Sequence, residues 1–344
     1  MRALVTGGGG FLGGAVVRQL RARGDTVRSL SRQHYPALDA LGVEQIQGDV
    51  ADAAAVSRAV AGCDVVFHVA AKAGVWGPAA EYHRANVVGT DNVIAACRKH
   101  GVGRLVFTSS PSVVAAGHAI AGGDESLPYP ARYLAHYPRT KAEAERRVLS
   151  ANGPDLATVS LRPHLIWGPG DNHLIPRLLA RARAGKLRIV GDGTNQTDVT
   201  YVDNAAAAHL LAADRLAPGS PVAGKAYFIS QGEPVALWPF INRILGLAGL
   251  PPVTKRVPLA AAYAAGAVLE AAYKVLGRTD EPRMTRFLAV QLGTSHWFDI
   301  TAARRDLGYE PTVSTDEGLG QLGEWLASGV TAAAAKPPAC PRPP

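Results

Sequence analysis

Residues 1–23 read MRALVTGGGGFLGGAVVRQLRAR, an apolar run followed at once by a glycine-rich turn and then by a helical pattern. Glycines spaced three apart permit a tight turn, close approach of backbone amides to a pyrophosphate, and close packing of helix on strand. The N-terminus of the helix adds positive potential. A plain glycine-rich turn is the alternative, but the order of strand, glycine-rich turn and helix favours a dinucleotide-binding site. Its predicted residues are Gly7, Gly10, Phe11, Leu12 and Gly13.

Short apolar runs alternate with helical stretches over the next 90 residues or so, as in DTVRSL, VEQIQGD, DVVFHVAA and RLVFTSS. Such alternation predicts an α/β fold with a doubly wound parallel sheet, the Rossmann fold. After about residue 170 the alternation weakens, although VTYVDNAAAAHLLAAD and AYFIS still resemble core elements. We therefore predict a cofactor-binding core over 1–170, a smaller interleaved C-terminal substrate lobe over 171–328, and a disordered Pro/Ala-rich tail over 329–344.

The composition of the 344 residues is that of a globular protein. With 47% hydrophobic and 19% charged residues, it argues against a disordered chain and a protein with many membrane spans. The net charge of +8 comes from scattered basic residues, and the one concentrated stretch, 177–188, lacks interleaved aromatics, so no nucleic-acid partner is predicted. The spacing of the three cysteines and the absence of an N-terminal signal pattern predict a cytoplasmic protein with no metal site.

Ligands of doubly wound sheets bind beyond the carboxyl ends of the strands, so the residues after each apolar run are candidate cofactor contacts. The second strand ends at Ser31 and Arg32 without a carboxylate for the adenine ribose, which favours NADP(H) over NAD(H). The alternative is that Arg32 is merely solvated and that the protein accepts both cofactors. Asp49 and Val50 are predicted to contact the adenine. Small residues after the fourth strand allow the central part of the cofactor to approach, at Ala70, Ala71 and Lys72.

Tyr137 and Lys141 are four residues apart in YPRTKAEAERRVL, a helical pattern that places both side chains on one face. An adjacent ammonium and the charge of an oxidised nicotinamide stabilise phenolate, so we expect a lowered pKa for Tyr137. Ser109 and Ser110 end the strand RLVFTSS, and a hydroxyl there is predicted to hold the substrate oxygen. Asn86, in the helix after the fourth strand, is predicted to orient Lys141 through water.

Five segments together resemble the extended short-chain dehydrogenase/reductase superfamily, and they are TGGGGFLG, NVVGTDNV, FTSS, YPRTK and LRPHLIWGPGD. The resemblance covers residues 1 to about 327. It implies that Ser110 rather than Ser109 is the catalytic serine, Tyr137 the acid-base tyrosine and Lys141 the cofactor lysine, with Pro163 beside the nicotinamide. Within the superfamily, GDGTNQTDVTYVDNAAAAHLLA and FDITAARRDLGYEP are similar to the 3β-hydroxysteroid dehydrogenase branch.

The segment HVAAKAGVWGP resembles members of this branch that act in lipid metabolism, in long-chain olefin biosynthesis. This resemblance implies NADPH-dependent reduction of a long-chain β-keto acid, alkylated at carbon 2, to the β-hydroxy acid. A 3β-hydroxysteroid or sterol dehydrogenase, an NDP-sugar epimerase or dehydratase, and a non-enzymatic scaffold protein are the alternatives. The family also implies a homodimer, with contacts expected near 86–100 and 139–150, and pathway enzymes that assemble together.

The stretch 258–277 is strongly apolar, and its only charges are Glu270 and Lys274, at the spacing of an i,i+4 pair. Charges inside the segment argue against a membrane span. We expect a helix packed in the lobe that is compatible with an apolar substrate, and peripheral membrane contact stays an open alternative.

Overall fold

The computed structural model describes residues 1–329, and its centre is a seven-stranded sheet in which all neighbouring strands are parallel. In spatial order the strands are β12 (Lys225–Ile229), β7 (Ala157–Pro163), β5 (Arg104–Thr108), β4 (Val65–His68), β1 (Arg2–Thr6), β2 (Thr26–Ser31) and β3 (Glu44–Gln47). The central strands are buried along almost their whole length, because both faces of the sheet are covered.

Helices cover the sheet on both faces. One face carries α1 (Phe11–Ala22), α8 (Val202–Arg215) and α12 (Thr301–Leu307), and the other carries α3 (Ala53–Val60), α5 (Gly89–His100) and α6 (His136–Ser150). The short helices α2 (Pro36–Asp39) and α4 (Ala79–His83) and a π-helical turn over Arg84–Val88 lie in the connections. The doubly wound α/β fold predicted from the sequence is therefore confirmed.

A third hydrophobic cluster belongs to the second half of the chain, where short strands and separate helices pack together. A four-stranded sheet contains β13 (Val235–Ala236), β10 (Gln196–Thr197), β15 (His296–Phe298) and β6 (Ile120–Gly123). Two strand pairs are β11 (Thr200–Tyr201) with β8 (Ile166–Trp167) and β14 (Arg256–Val257) with β9 (Ile189–Val190). The remaining helices are α7 (Leu174–Arg183), α9 (Leu237–Leu247), α10 (Leu259–Val275), α11 (Arg286–Gly293) and α13 (Thr315–Ala327).

The chain crosses between these two parts more than once. After entering the second part it returns to the central sheet to add β12, which pairs with β7, and to cover the sheet with α8 and α12. The division at residue 170 stays a prediction, and residues 330–344 of the predicted tail lie outside the described residues. Within residues 1–329, no helix has both the length and the apolar character needed to cross a bilayer.

One local expectation is wrong. Glu270 does not pair with Lys274 on the surface of α10, because its carboxylate turns inward and binds the guanidinium of Arg286 at 2.7 Å. It also accepts a hydrogen bond from the backbone N–H of Arg286 at 2.7 Å. A nearly buried carboxylate needs partners of this kind, whereas an exposed i,i+4 pair contributes little.

Candidate active site

The glycine-rich turn after β1 forms a cradle that side chains would fill. A Cβ added at Gly13 would lie 2.1 Å from the carbonyl oxygen of Gly7, and Gly7 itself has a φ of +72°. Gly10 begins α1 without a side-chain cap, so the first backbone amides of that helix have no side-chain acceptor. The cradle, the free amides and the helix N-terminus fit the pyrophosphate of a dinucleotide.

The predicted cofactor residues follow the carboxyl ends of parallel strands, so they lie along one edge of the sheet. The structure therefore places these residues at one edge of the sheet, and the role of each residue in binding the cofactor stays a prediction. By element, Ser31 ends β2 and Arg32 follows it, Asp49 and Val50 follow β3, Ala70, Ala71 and Lys72 follow β4, Ser110 follows β5, and Pro163 ends β7.

Arg32 follows β2, at the end of this edge that is predicted to hold the adenosine. The Arg32 side chain is exposed and pairs with no carboxylate among residues 1–329. Asp49, the acidic residue predicted to contact the adenine, binds Arg84 at 3.0 Å. Sequence reasoning missed Tyr35, whose ring lies so close to Gly9 that a Cβ there would be 2.2 Å away. The Tyr35 ring therefore packs against the glycine-rich turn.

Asn86 connects the loop after β4 to α6, the helix that carries the predicted pair Tyr137 and Lys141. Its Oδ1 accepts a hydrogen bond from the backbone N–H of Lys72 at 2.7 Å, and its Nδ2 donates to the Lys72 carbonyl at 3.1 Å. The same Nδ2 donates to Thr140 Oγ1 at 3.0 Å. Lys141 is not among these partners, so the direct work of Asn86 is to position Lys72 against α6.

Ser110, which follows β5, and Tyr137, in the first turn of α6, are the predicted reactive pair. The Ser110 hydroxyl accepts hydrogen bonds from Ser112 Oγ at 3.0 Å and from the Ser112 backbone N–H at 3.2 Å. Because it accepts twice, its own proton is left to donate to an oxygen in the cleft. Desolvation by the surrounding protein raises the pKa of Tyr137, and a hydrogen bond with Ser110 lowers it in part.

Lys141 lies one helical turn after Tyr137 and is 2% exposed. Its Nζ donates to the carbonyl of Thr108 at 2.5 Å and lies 4.0 Å from the centre of the Phe107 ring. Burial lowers the pKa of Lys141 to about 7, with Glu145 acting in the opposite direction. The expected lowering of the Tyr137 pKa by Lys141 is wrong for the protein groups alone, since burial outweighs the other contributions and raises that pKa.

A buried ion pair that sequence reasoning missed joins α6 to the strand β7. Glu145, at 0% exposure, binds Arg162, at 3% exposure, with 2.7 Å between the charged atoms. Tyr129 and Ser160 donate to the same carboxylate, each at 2.7 Å. Burial alone would raise the pKa of Glu145, but Arg162 outweighs it and holds that pKa below its usual range. The residues are 17 apart on different elements, so no local pattern indicates the pair.

We expect Glu145→Leu to lower the free energy of unfolding by about 3–5 kcal/mol, because it leaves the Arg162 charge buried without its partner. The double variant Glu145→Leu with Arg162→Met should recover most of this loss, since it removes both charges. Urea titrations of the three proteins give the comparison. A single variant as stable as the wild type would contradict the expected cost.

The pH dependence of the same variants has a defined sign. Because the folded-state pKa of Glu145 is lowered, its contribution is present above the unfolded-state pKa and is lost as pH falls through the folded-state value. As pH falls, the wild type should therefore lose stability relative to the double variant. A difference that does not change with pH would show that folding leaves the pKa of Glu145 unchanged, and a change of opposite sign would show that its folded-state pKa is raised.

Comparisons with known proteins agree with this geometry. A family model described as the 3-beta hydroxysteroid dehydrogenase/isomerase family matches residues 4–259. A protein of Stenotrophomonas maltophilia strain K279a is 56% identical over 94% of this chain and 98% of its own length. One of Shewanella oneidensis strain MR-1 is 52% identical over 93% of this chain and 85% of its own. Both are named 2-alkyl-3-oxoalkanoate reductase.

Solved structures give the same picture of the fold. The structure described as MoeE5 in complex with UDP-glucose and NAD is similar, with a TM-score of 0.74 and 27% sequence identity. The match covers 96% of this chain and 100% of that one. The likeness therefore extends over both parts of the molecule.

Proposed function

The chain belongs to the 3-beta hydroxysteroid dehydrogenase/isomerase family, and on that premise we propose that it reduces a long-chain 2-alkyl-3-oxoalkanoate to the 2-alkyl-3-hydroxyalkanoate. The observation that carries this proposal is the 56% and 52% identity, over nearly the whole chain, to two proteins named for that reaction. A 3β-hydroxysteroid dehydrogenase is the second candidate, favoured by the description of the family. In either case the enzyme is an NAD(P)-dependent oxidoreductase.

The bound nicotinamide supplies the hydride that the ketone carbon accepts. Ser110 donates a hydrogen bond to the ketone oxygen, and Tyr137 donates its phenolic proton to the same oxygen as negative charge develops there. Lys141 holds the cofactor ribose, and its ammonium stabilises the phenolate left behind. Burial raises the pKa of Tyr137, so the phenol carries the proton that this step requires.

The proposal includes a preference for NADPH over NADH. The hydroxyl of Ser31 ends β2, and the exposed guanidinium of Arg32 follows it. A carboxylate at this position would repel the 2′-phosphate. The Ser31 Oγ lies 3.5 Å from the backbone nitrogen of Gly9, so this hydroxyl borders the turn that cradles the pyrophosphate. Asp49, which follows the neighbouring strand β3, is itself paired with Arg84.

We expect Arg32→Ala to raise the KM for NADPH by about tenfold or more, because it removes a charge-assisted hydrogen bond to phosphate. The KM for NADH should change little, since that cofactor has no 2′-phosphate. Arg58→Ala, which removes an exposed arginine in the last turn of α3, is the matched control. Equal effects of Arg32→Ala on both cofactors would exclude Arg32 from phosphate recognition.

The substrate is tested by following cofactor absorbance with NADPH and NADH in parallel. The purified protein is offered a long-chain 2-alkyl-3-keto acid, a 3-ketosteroid and a nucleotide sugar. Oxidation of NADPH with the keto acid supports the proposal. Turnover only with the steroid, or only of a hydroxysteroid with NAD, would move the enzyme to the second candidate function.

We also place the reaction in the cytoplasm. Cys63 and Cys97 are buried free thiols, which supports a reducing compartment. Burial raises the pKa of the Cys97 thiol to about 12, so it stays protonated and unreactive.

A further inference from the structure

Helix α10 presents an apolar face that no other residue of the described chain covers. Val268 is 68% exposed, Val275 87% and Leu276 69%, and Tyr263 is 37% exposed on the same helix. Between them lie exposed alanines, at positions 260, 261, 264, 265, 271 and 272. Lys274 is the one charged side chain among the exposed positions of this helix. Contiguous apolar surface of this kind marks an interaction site.

The opposite side of α10 packs against the rest of the protein. This packing determines that the apolar face of the helix points outward. A Cβ at Gly266 would lie 2.6 Å from the carbonyl carbon of Thr285, which shows how closely the two backbones approach. Glu270 is buried against Arg286, and Ala262 is 4% exposed. The helix therefore has a defined inner side with its own polar partners and an outer side without any.

Basic side chains lie at the segment that leads into the N-terminal end of α10. Lys255 and Arg256 precede the helix, and the pairing of β14 with β9 brings Arg188 and Lys186 beside them. All four are exposed, and within residues 1–329 none of them forms an ion pair with a carboxylate. An apolar helix face, with cations at the N-terminal end of the helix that form no ion pair, is complementary in both respects to a membrane of anionic phospholipid.

We propose that α10 docks on the surface of an anionic phospholipid bilayer, with Val268, Val275 and Leu276 at the acyl boundary and Lys255 and Arg256 beside lipid phosphates. A helix of 17 residues is about 25 Å long, and it lies in the plane of the interface. This surface is distinct from the catalytic edge of the sheet, so the proposal goes beyond the proposed function.

The C-terminal end of α10 also contacts the elements that carry the active site. The indole N–H of Trp76, in the loop after β4, donates to the carbonyl of Arg278 at 3.2 Å. The Trp76 ring packs edge-on against Tyr273, with 6.0 Å between ring centres. Docking through α10 therefore places the loop beside Lys72 close to the bilayer, where substrates with long alkyl chains partition.

The test is flotation of the full-length protein with vesicles, in the absence of any substrate. One set is pure phosphatidylcholine, and the other contains about a quarter phosphatidylglycerol, which supplies the negative surface potential. We expect binding to the second set, weakened by salt. Val268→Glu with Val275→Glu should abolish it, and Lys255→Glu with Arg256→Glu should lower the partition coefficient about tenfold or more.

Leu247→Glu is the matched control, because Leu247 is 40% exposed on α9, away from this face, and its replacement should leave vesicle binding unchanged. Circular dichroism and turnover of a short, soluble keto acid confirm that each variant is folded. Failure of the wild type to float with anionic vesicles would overturn the proposal, as would equal flotation of the Val268→Glu, Val275→Glu variant. So would a dimer in sedimentation that this variant dissociates, since the face would then belong to a second copy of the chain.

Discussion

Tyr137→Phe should lower kcat by about 10²–10⁴-fold while leaving the dissociation constant for NADPH nearly unchanged. The substitution removes the proton that Tyr137 delivers to the ketone oxygen and leaves Ser110 and Lys141 in place. The ring itself remains to pack against its neighbours. Single-turnover oxidation of NADPH measures the chemical step, and quenching or enhancement of NADPH fluorescence measures binding.

Tyr133→Phe is the matched control for this prediction. The Tyr133 hydroxyl donates to the carbonyl of Val113 at 2.9 Å, so its loss removes one structural hydrogen bond near the same site. We expect turnover close to that of the wild type. If Tyr137→Phe retained turnover, or if both variants lost it equally, Tyr137 would not be the proton donor.

Gly13→Ala should destabilise the folded protein by about 1–3 kcal/mol or more and should weaken NADPH binding at least tenfold. The new Cβ would lie 2.1 Å from the Gly7 carbonyl oxygen, which is backbone and cannot rotate away. Either α1 or the turn after β1 must move. Because the same turn and helix N-terminus form the predicted pyrophosphate cradle, stability and cofactor affinity should fall together.

The neighbouring glycine provides a control within the same turn of helix. A Cβ at Gly14 would lie 3.4 Å from the Gly8 carbonyl oxygen and 3.7 Å from Arg18 Nη1, which are ordinary contacts. Gly14→Ala should therefore be neutral or stabilising by about 0.5–1 kcal/mol, as alanine is a better helix former than glycine. Thermal unfolding and NADPH titration of both variants give the comparison, and similar results for the two would contradict the steric argument.

The residues that could be predicted from the sequence are those whose geometry is local. Gly7, Gly10 and Gly13 follow one another through a single turn, and Tyr137 and Lys141 share a helix face four residues apart. Strand ends could also be predicted, because alternation of strands and helices fixes which edge of a parallel sheet they reach.

The features that could not be predicted depend on how distant elements meet. Arg162 is a single arginine inside an apolar strand, and its partner Glu145 is identified only when α6 packs on β7. Trp76 and Arg278 are 202 residues apart. An alanine-rich pattern such as that of α10 has weak periodicity, so its inner and outer sides became distinct only through the packing of Gly266 and Glu270.

The late position of β12 in the chain has a consequence for synthesis on the ribosome. β7 ends at Pro163, but the strand that pairs with its outer side begins at Lys225, and α12 follows only at Thr301. A nascent chain that has just released β7 therefore carries an exposed strand edge until about 60 further residues have emerged. During this interval the open edge is available for pairing with other chains, so slow translation over 164–229 would lengthen the time in which aggregation competes with folding.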